Sequence, residues 1–274
     1  MKTAFVLSGG GAAGSYQFGC LKALLEYGIK PDFMTANSAG SLNAVGLSFG
    51  SVVELETVWR SIKSQEDVFP RRLFKYLGLP FGGRSLWHSY ALKEKIDKMI
   101  KGRQPKIPVW VSYVDLIDGK LVHELSANTR SFRDATLASA SIPIITEPVN
   151  GHMVDGAVRE NTPLKFAIDQ GAERIFVFMN NPVNKELDIV DDPKNIFQIA
   201  SRCLSILSDE ALLNDIKTCQ MYNSLGLGRN IELHWIAPKV RTVGTLDFNQ
   251  EAISRGIDEG YQQGKEFLAV QLTG

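Results

Sequence analysis

Two successive units of apolar strand, glycine-containing turn and helix open the chain. Lys2 to Leu7 is an apolar run that ends at a glycine cluster, and apolar residues then recur at helical spacing from about Ala13 to Tyr27. A short strand from Phe33 to Ala36 runs into Asn37-Ser38-Ala39-Gly40, where a second helix begins. Strand–turn–helix units in succession are typical of a parallel sheet covered by helices. The pattern therefore predicts an α/β fold around a mainly parallel sheet.

The remaining segments extend this pattern less regularly. Helices are predicted at 51–63, 91–100, 131–140, 194–225 and 250–271, and strands at 107–113, 121–124, 174–179 and 231–236. In the last helix Gly256, Gly260 and Gly264 recur every four residues, which predicts close packing along one helix face. The absence of internal repeats and of a linker predicts one domain over residues 1–274, with a lid or insertion at about 65–90.

Composition excludes several classes of protein. Lys plus Arg and Asp plus Glu number 30 each, so no charge excess favours nucleic acid as a partner. The three cysteines are scattered, which indicates neither a disulfide framework nor a zinc site. The first apolar run is too short for a signal peptide, and no run approaches the roughly 20 residues of a membrane span. We therefore expect a cytoplasmic protein that can contact a membrane only peripherally, in an oligomeric state that the sequence does not determine.

The first chemical motif is Gly9-Gly10-Gly11-Ala12-Ala13-Gly14, between a strand and a helix. Gly9, Gly11 and Gly14 satisfy the G-x-G-x-x-G pattern of dinucleotide-binding sites, but the acidic residue Asp32 precedes the second strand instead of ending it. Backbone N–H groups of such a loop can instead hold the oxyanion that forms when an ester carbonyl is attacked. A tight turn needed only for packing is the third possibility.

The second motif is Ala36-Asn37-Ser38-Ala39-Gly40, which places a serine between a strand and a helix. A nucleophilic serine is exposed on such a sharp turn when the residues two positions away on each side are small, as in G-x-S-x-G. Ala36 stands where that pattern has its first glycine. Because serine is also a common first residue before a helix, a simple N-cap is the alternative.

A serine hydroxyl needs a base, and the best candidate is an aspartate. None of the four histidines lies in a recognisable triad motif, and His123 and His234 fall in strand patterns that predict structural roles. Asp155 instead ends the strand-like segment Met153-Val154-Asp155-Gly156-Ala157. His152 lies three extended residues before Asp155 and is expected to point to the other side. An ordinary Asp-Gly turn is the alternative interpretation.

Together these segments resemble the patatin-like phospholipase family, relatives of the catalytic domain of cytosolic phospholipase A2. The resemblance rests on SGGGAAG at 8–14, ANSAG at 36–40 and DGA at 155–157, in that order, and also on ASASIP at 138–143 and NTP at 161–163. It spans roughly residues 2–180 and is weaker in the rest of the chain. Each motif alone is unspecific, whereas the ordered set is a strong signal.

The resemblance implies a three-layer α/β/α sandwich and a serine hydrolase of lipid acyl esters, of phospholipase A or lysophospholipase type. It implies a dyad in which Ser38 attacks the carbonyl and Asp155 takes its proton, without metal or cofactor. The residues that it assigns to the oxyanion hole are Gly9, Gly10 and Gly11, and those that it assigns to motif support are Gly14, Gly40 and Gly156.

Two departures from the family pattern leave a second function open. The family usually has Lys or Arg where this chain has Ala13, and glycine where it has Ala36. The first change is expected to remove a charge near the site and the second to strain the elbow, so a catalytically weak lipid-binding relative is the alternative. Residues 68–87 mix aromatic and basic side chains, which suits a flap that touches anionic lipid.

Overall fold

The computed structural model describes residues 1–71, 85–182 and 230–273, with scattered positions between 199 and 224. The strands are β1 (Thr3–Leu7), β2 (Phe33–Ala36), β3 (Val109–Asp115), β4 (Leu121–Leu125), β5 (Met153–Asp155), β6 (Arg174–Phe178) and β7 (Glu232–Ile236). The α-helices are α1 (Gly14–Glu26), α2 (Ala39–Phe49), α3 (Val52–Ser61), α4 (Tyr90–Ile100), α5 (Thr129–Ser139), α6 (Leu164–Asp169) and α7 (Gln250–Thr273). Single 3-10 turns occupy Gly11–Ala13, Gln65–Asp67 and Gly156–Val158.

The described strands form one mainly parallel sheet. Its order is β4-β3-β2-β1-β6-β7. Five of these strands run parallel to one another, namely β3, β2, β1, β6 and β7. Both β4 and β5 pair with β3 in the antiparallel direction. The first two strand–turn–helix units of the sequence thus place β1 and β2 side by side at the centre of the sheet, as expected for a parallel α/β fold.

Side chains alternate between two apolar cores, one on each face of the sheet. In β1, Phe5 and Leu7 join the larger core with residues of α1 and α2, whereas Ala4 and Val6 face a smaller core with residues of α6. Because successive residues of a strand point to opposite faces, a strand buried on both sides is apolar throughout. The predicted three-layer α/β/α arrangement around a mainly parallel sheet is confirmed.

The short strand β5 lies where β2 ends. Ala36, the last residue of β2, pairs with Val111 of β3, and Asp155 pairs with Tyr113, two residues further along β3. Since β4 occupies the other edge of β3 over the same stretch, β5 must continue along the edge that β2 has left. This arrangement brings the end of β5 next to the turn that follows β2.

The glycine stripe of the last helix packs as the sequence predicts. A Cβ atom built on Gly260 would overlap the Tyr16 carbonyl oxygen of α1, and one built on Gly19 would overlap the Ile257 carbonyl oxygen of α7. The two helix backbones therefore approach too closely for larger side chains.

Two predicted segments fall largely outside the described residues. Of the lid at 65–90, the structure describes both ends, which an isolated bridge joins between Arg71 and Trp87. Phe69 and Leu86, next to these positions, are buried. Residues 72–84 and most of the predicted helix at 194–225 lie outside the described residues, so the single-domain and lid assignments stay predictions.

Candidate active site

Ser38 occupies a strained turn between β2 and α2. Its backbone has φ 52° and ψ −125°, a conformation that L-residues other than glycine rarely adopt. The turn brings the backbone after Ser38 against the end of β1, so that a Cβ atom on Gly40 would overlap the Leu7 carbonyl oxygen. The elbow forms with Ala36 in place, and that side chain is fully buried. Ala36 is therefore compatible with this turn.

A buried network of hydrogen bonds supports the turn that carries Ser38. The Ser38 amide donates to Ser139 Oγ at 2.9 Å, and that hydroxyl donates to Asn37 Oδ1 at 3.3 Å. Ser112 Oγ from β3 also donates to Asn37 Oδ1, at 2.9 Å. Ser41 and Ser139 share a further hydrogen bond of 2.8 Å between their hydroxyls. Strands β2 and β3 and helices α2 and α5 are thus joined at one asparagine.

Asp155 lies on the opposite side of the same network. Its Oδ1 accepts hydrogen bonds from Asn37 Nδ2 at 2.9 Å and from the Ala157 amide at 2.8 Å. Burial raises the pKa of Asp155 to about 6, against the lowering effect of the Ala157 amide, the Ser38 hydroxyl and the Asn37 side chain. The carboxylate lines the same pocket as Ser38 and is ionised near neutral pH.

Gly156, next to Asp155, leaves no room for a side chain. A Cβ atom there would overlap Asn37 Oδ1 and approach Ser112 Oγ to 2.8 Å. This glycine thus lets the chain turn directly against the polar network.

The glycine-rich loop lies directly against Ser38. A Cβ atom on Gly9 would be 2.8 Å from the Ser38 Cβ, and one on Gly14 would be 2.8 Å from the Ala39 Cβ. The Gly9 amide, however, already donates to the Asn161 carbonyl at 3.0 Å. Within the described residues the Gly9 amide is therefore occupied, whereas the Gly10 and Gly11 amides have no hydrogen-bond acceptor.

Two pockets meet at Ser38. The first is enclosed almost entirely by apolar side chains, among them Leu42, Leu55, Val58, Trp59, Ile62, Val68, Phe69, Leu92, Met99 and Phe248. The second contains the glycine loop and the dyad candidates, and is lined by Gly9, Gly10, Gly11, Ser38, Ile142, Pro143, Ile145, Asp155, Ala157, Val158, Asn161, Asn181 and Thr245. Gly11, Ser38 and Ile142 border both pockets. A linear molecule with a reactive group at Ser38 can therefore extend an apolar end and a polar end in different directions.

Comparison with known proteins agrees with this arrangement. The sequence pattern of the family described as "Patatin-like phospholipase" matches residues 5–168, which include the glycine loop, the elbow and Asp155. The chain belongs to the patatin-like phospholipase family.

Curated relatives carry the same family name. Patatin-like phospholipase domain-containing protein 6 of Mus musculus is 23% identical over 277 residues, which cover 96% of this chain and 20% of the relative. Patatin-like phospholipase domain-containing protein 7 of Rattus norvegicus is 25% identical over 277 residues, which cover 95% of this chain and 20% of the relative. The chain thus spans about a fifth of the length of these relatives.

Two more distant similarities involve a named esterase and a solved structure. Neuropathy target esterase sws of Drosophila melanogaster is 26% identical over 176 residues, or 62% of this chain and 12% of that protein. The crystal structure of VipD from Legionella pneumophila aligns with a TM-score of 0.47 at 13% identity, and covers 98% of this chain and 67% of that one.

None of the four histidines of this patatin-like chain lines either pocket at Ser38. Each has a carboxylate within 4.0 Å, in the pairs His88–Glu147, His123–Glu160, His152–Asp115 and His234–Glu232. The ring of His123 also stacks on Phe166, and burial lowers the pKa of this histidine to about 4. These contacts agree with the structural roles that the sequence predicts for His123 and His234.

The dinucleotide interpretation does not fit the geometry. Asp32 Oδ2 accepts a hydrogen bond from the Thr3 amide at 2.7 Å, at the start of β1. The glycine loop follows the C-terminal end of β1. Asp32 and the loop therefore lie at opposite ends of this strand. Ala13, the other departure from the family pattern, is buried in the apolar core and borders neither pocket at Ser38.

Several polar residues around the site have no role predicted from the sequence. Asn37, Ser112 and Ser139 form the network beneath Ser38, and Asn180 contacts the glycine loop. Asn37 lies in the ANSAG motif at 36–40 and Ser139 in ASASIP at 138–143. The motifs thus mark the positions of these residues, but they do not predict the hydrogen bonds that the side chains make. Ser112 stands in a strand pattern and Asn180 directly follows one, and no local feature of the sequence distinguishes either residue.

None of the described helices is both long and apolar enough to cross a bilayer.

Proposed function

We propose that this chain is a serine acyl hydrolase that cleaves fatty acyl esters of lipids. The observation that carries the proposal is that Ser38, on its strained elbow, and the buried carboxylate of Asp155 line the same pocket. A nucleophile with a base beside it is what covalent ester hydrolysis requires. The membership of the chain in the patatin-like phospholipase family supports a lipid substrate.

In the proposed reaction the Ser38 hydroxyl attacks the ester carbonyl carbon while Asp155 takes its proton. The tetrahedral intermediate collapses when the alcohol leaves with that proton, and an acyl-enzyme on Ser38 remains. Water, deprotonated by Asp155, then attacks the acyl carbonyl carbon. The fatty acid is released when the bond to Ser38 Oγ breaks and Asp155 returns the proton to that oxygen. A base with a pKa of about 6 is ionised at neutral pH and still accepts a proton during attack.

The oxyanion is assigned to the amides of Gly10 and Gly11. Both residues border the pocket that contains Ser38 and Asp155, and their amides have no acceptor within the described residues. An unpaired backbone amide beside a nucleophile suits charge that appears only during the reaction. Gly9 serves instead as the point where the loop approaches Ser38.

The two pockets suggest how a lipid ester is oriented. The apolar pocket between α2, α3 and α4 suits an acyl chain, because burial of each CH₂ group is worth roughly 0.8 kcal/mol. The pocket with Asn161, Asn181 and Thr245 suits a polar alcohol portion of the substrate. We assign phospholipid or lysophospholipid as the substrate class on this basis, and peripheral contact with a membrane as its source.

The deciding experiment is hydrolysis of p-nitrophenyl esters of increasing acyl length by wild type, Ser38→Ala and Asp155→Asn. We expect turnover by wild type to rise with chain length until the apolar pocket is filled, and both variants to lose it. Circular dichroism of each variant controls for folding. Absence of turnover by wild type would favour the lipid-binding alternative, and turnover that persists in Ser38→Ala would identify another nucleophile.

A further inference from the structure

Asn180 is a buried residue that contacts the glycine loop from the end of β6. It lies two residues after that strand and is 1% exposed. Its Nδ2 donates hydrogen bonds to the Ser8 carbonyl at 2.9 Å and to the Gly9 carbonyl at 3.1 Å. One side-chain amide group therefore binds two successive peptide carbonyls at the beginning of the loop.

The other end of the Asn180 side chain is unsatisfied. Within the described residues its Oδ1 is buried and has no hydrogen-bond partner. Exchange of the amide nitrogen and oxygen would place the oxygen against two carbonyl oxygens, so the assigned orientation is the favourable one. A buried acceptor without a partner costs roughly 1–3 kcal/mol. Because the protein bears this cost, we infer that the two hydrogen bonds from the Asn180 Nδ2 group to the loop have a role that an apolar side chain could not fill.

Asn180 determines the direction of the Gly10 amide. The Gly9 carbonyl and the Gly10 N–H belong to the same peptide unit, and all peptide bonds of the described chain are trans. In a planar trans peptide these two groups point in opposite directions. The Gly9 carbonyl accepts a hydrogen bond from Asn180 Nδ2 at 3.1 Å and a longer one from Asn161 Nδ2 at 3.5 Å. Because Asn180 is the nearer donor, the Gly10 N–H points away from Asn180, and Gly10 borders the pocket of Ser38.

The preceding peptide unit, between Ser8 and Gly9, is fixed by hydrogen bonds at both its carbonyl and its N–H group. Its carbonyl, that of Ser8, accepts hydrogen bonds from Asn180 Nδ2 at 2.9 Å and from Gln17 Nε2 at 3.0 Å. Its N–H, that of Gly9, donates to the Asn161 carbonyl at 3.0 Å. Asn180 also fills the space beside Gly10, where a Cβ atom would be 2.8 Å from its Nδ2.

We propose that Asn180 is a positioning residue for the oxyanion hole, which fixes the Gly10 amide toward the developing negative charge on the substrate. This inference rests on the proposed ester hydrolysis at Ser38. It predicts that loss of Asn180 weakens binding of the transition state and leaves binding of the ground state unchanged, since Asn180 itself does not border the substrate pockets.

The test compares wild type with Asn180→Ala and with Asn180→Asp, which keeps the shape of the side chain. For each we would measure kcat and KM on one p-nitrophenyl ester. We would also measure the affinity for a long-chain trifluoromethyl ketone, which forms an oxyanion adduct with a serine, and for the matching methyl ketone. Ser48→Ala is the control, because it removes a buried side-chain donor that binds the Ile107 carbonyl at 2.6 Å, at the opposite end of α2 from Ser38.

We expect kcat of both Asn180 variants to fall about 100-fold with little change in KM. In the Asn180 variants, affinity for the trifluoromethyl ketone should fall in parallel with kcat, whereas affinity for the methyl ketone should not change. In the control variant the ratio of the two affinities should equal that of wild type. Unchanged kcat, or equal loss of both ketones, would overturn the proposal while hydrolysis by wild type stands. If wild type shows no turnover, the proposed function fails and this inference fails with it. Should Asn180→Ala not fold, the same outcomes are read from Asn180→Asp.

Discussion

The Nδ2 of Asn37 donates a hydrogen bond of 2.9 Å to Oδ1 of Asp155, a residue 118 positions away along the chain. Asn37 immediately precedes Ser38, so the backbone that aims the candidate nucleophile also carries the group that orients the candidate base. Asn37 Oδ1 in turn accepts from Ser112 and Ser139. The two halves of the proposed dyad are therefore aligned through one side chain, and the elbow sequence encodes more than a serine at a sharp turn.

Replacement of Asn37 is expected to shift the pH dependence of hydrolysis. In Asn37→Ala the carboxylate of Asp155 loses a donor that lowers its pKa, so the acidic limb of the kcat/KM profile should move upward from about 6. A hydrogen bond to a charged group contributes about 1.5–3 kcal/mol, so kcat/KM at neutral pH should fall roughly tenfold or more. The measurement is a pH–rate profile from pH 4 to 9.

Ser112→Ala is the matched control for this prediction. It removes the hydrogen bond from Ser112 to Asn37 Oδ1 but leaves the contact between Asn37 and Asp155 in place. We expect a smaller loss of activity and an almost unchanged acidic limb. Identical profiles for both variants would show that the network acts only through overall packing.

Asp155→Asn is expected to increase stability while it abolishes turnover. Because the pKa of Asp155 is raised in the folded state, the stability that this carboxyl contributes is complete below about pH 4 and is lost as pH rises through about 6. The buried carboxylate therefore reduces the free energy of unfolding at pH 8 by on the order of 2–3 kcal/mol. The neutral amide keeps an acceptor for the Asn37 and Ala157 donors.

Urea unfolding at pH 8 and at pH 4 measures this effect. Asp155→Asn should exceed wild type in stability at pH 8, and the difference should shrink at pH 4, where Asp155 is protonated. If the variant and wild type differed by the same free energy of unfolding at both pH values, the difference would not depend on ionisation of Asp155, which would contradict the prediction.

Ser38→Gly and Ser38→Ala are expected to differ in stability although both lack the hydroxyl. Ser38 has φ 52°, and glycine adopts this conformation without the steric cost of a Cβ atom. Ser38→Gly should therefore be more stable than Ser38→Ala by about 1 kcal/mol in thermal unfolding. The same pair of substitutions at Ser41, inside α2, should show the opposite order, because glycine is the poorer helix former.

The apolar pocket is expected to set the acyl chain length that the protein accepts. Met99 of α4 borders this pocket, so Met99→Trp should reduce kcat/KM for long-chain p-nitrophenyl esters and leave short-chain esters nearly unaffected. Lys98→Trp places the same ring on the exposed side of the helix and should not change the chain-length profile. A uniform loss across all chain lengths in Met99→Trp would exclude this pocket as the acyl site.

Local patterns were sufficient to predict most elements of the fold. Phe33–Ala36 is a strand with the predicted bounds, and the apolar runs that became β1 and β6 also lie where they were expected. The glycine stripe of α7 was read correctly because close helix packing needs small residues at fixed spacing. The short β5 was recognised only as a strand end, since three residues carry little periodicity and its pairing with β3 is a long-range contact.

The sequence by itself determined which residue types the site contains, because a glycine loop, a serine between small neighbours and Asp-Gly are local requirements of chain geometry. Only the tertiary structure decided their partners. The Gly9 amide is occupied by the Asn161 carbonyl, 152 positions away, and Asn180 holds the Ser8 carbonyl across 172 positions. Such contacts form where the ends of parallel strands meet at one edge of the sheet, and no periodicity of the sequence records which side chains meet there.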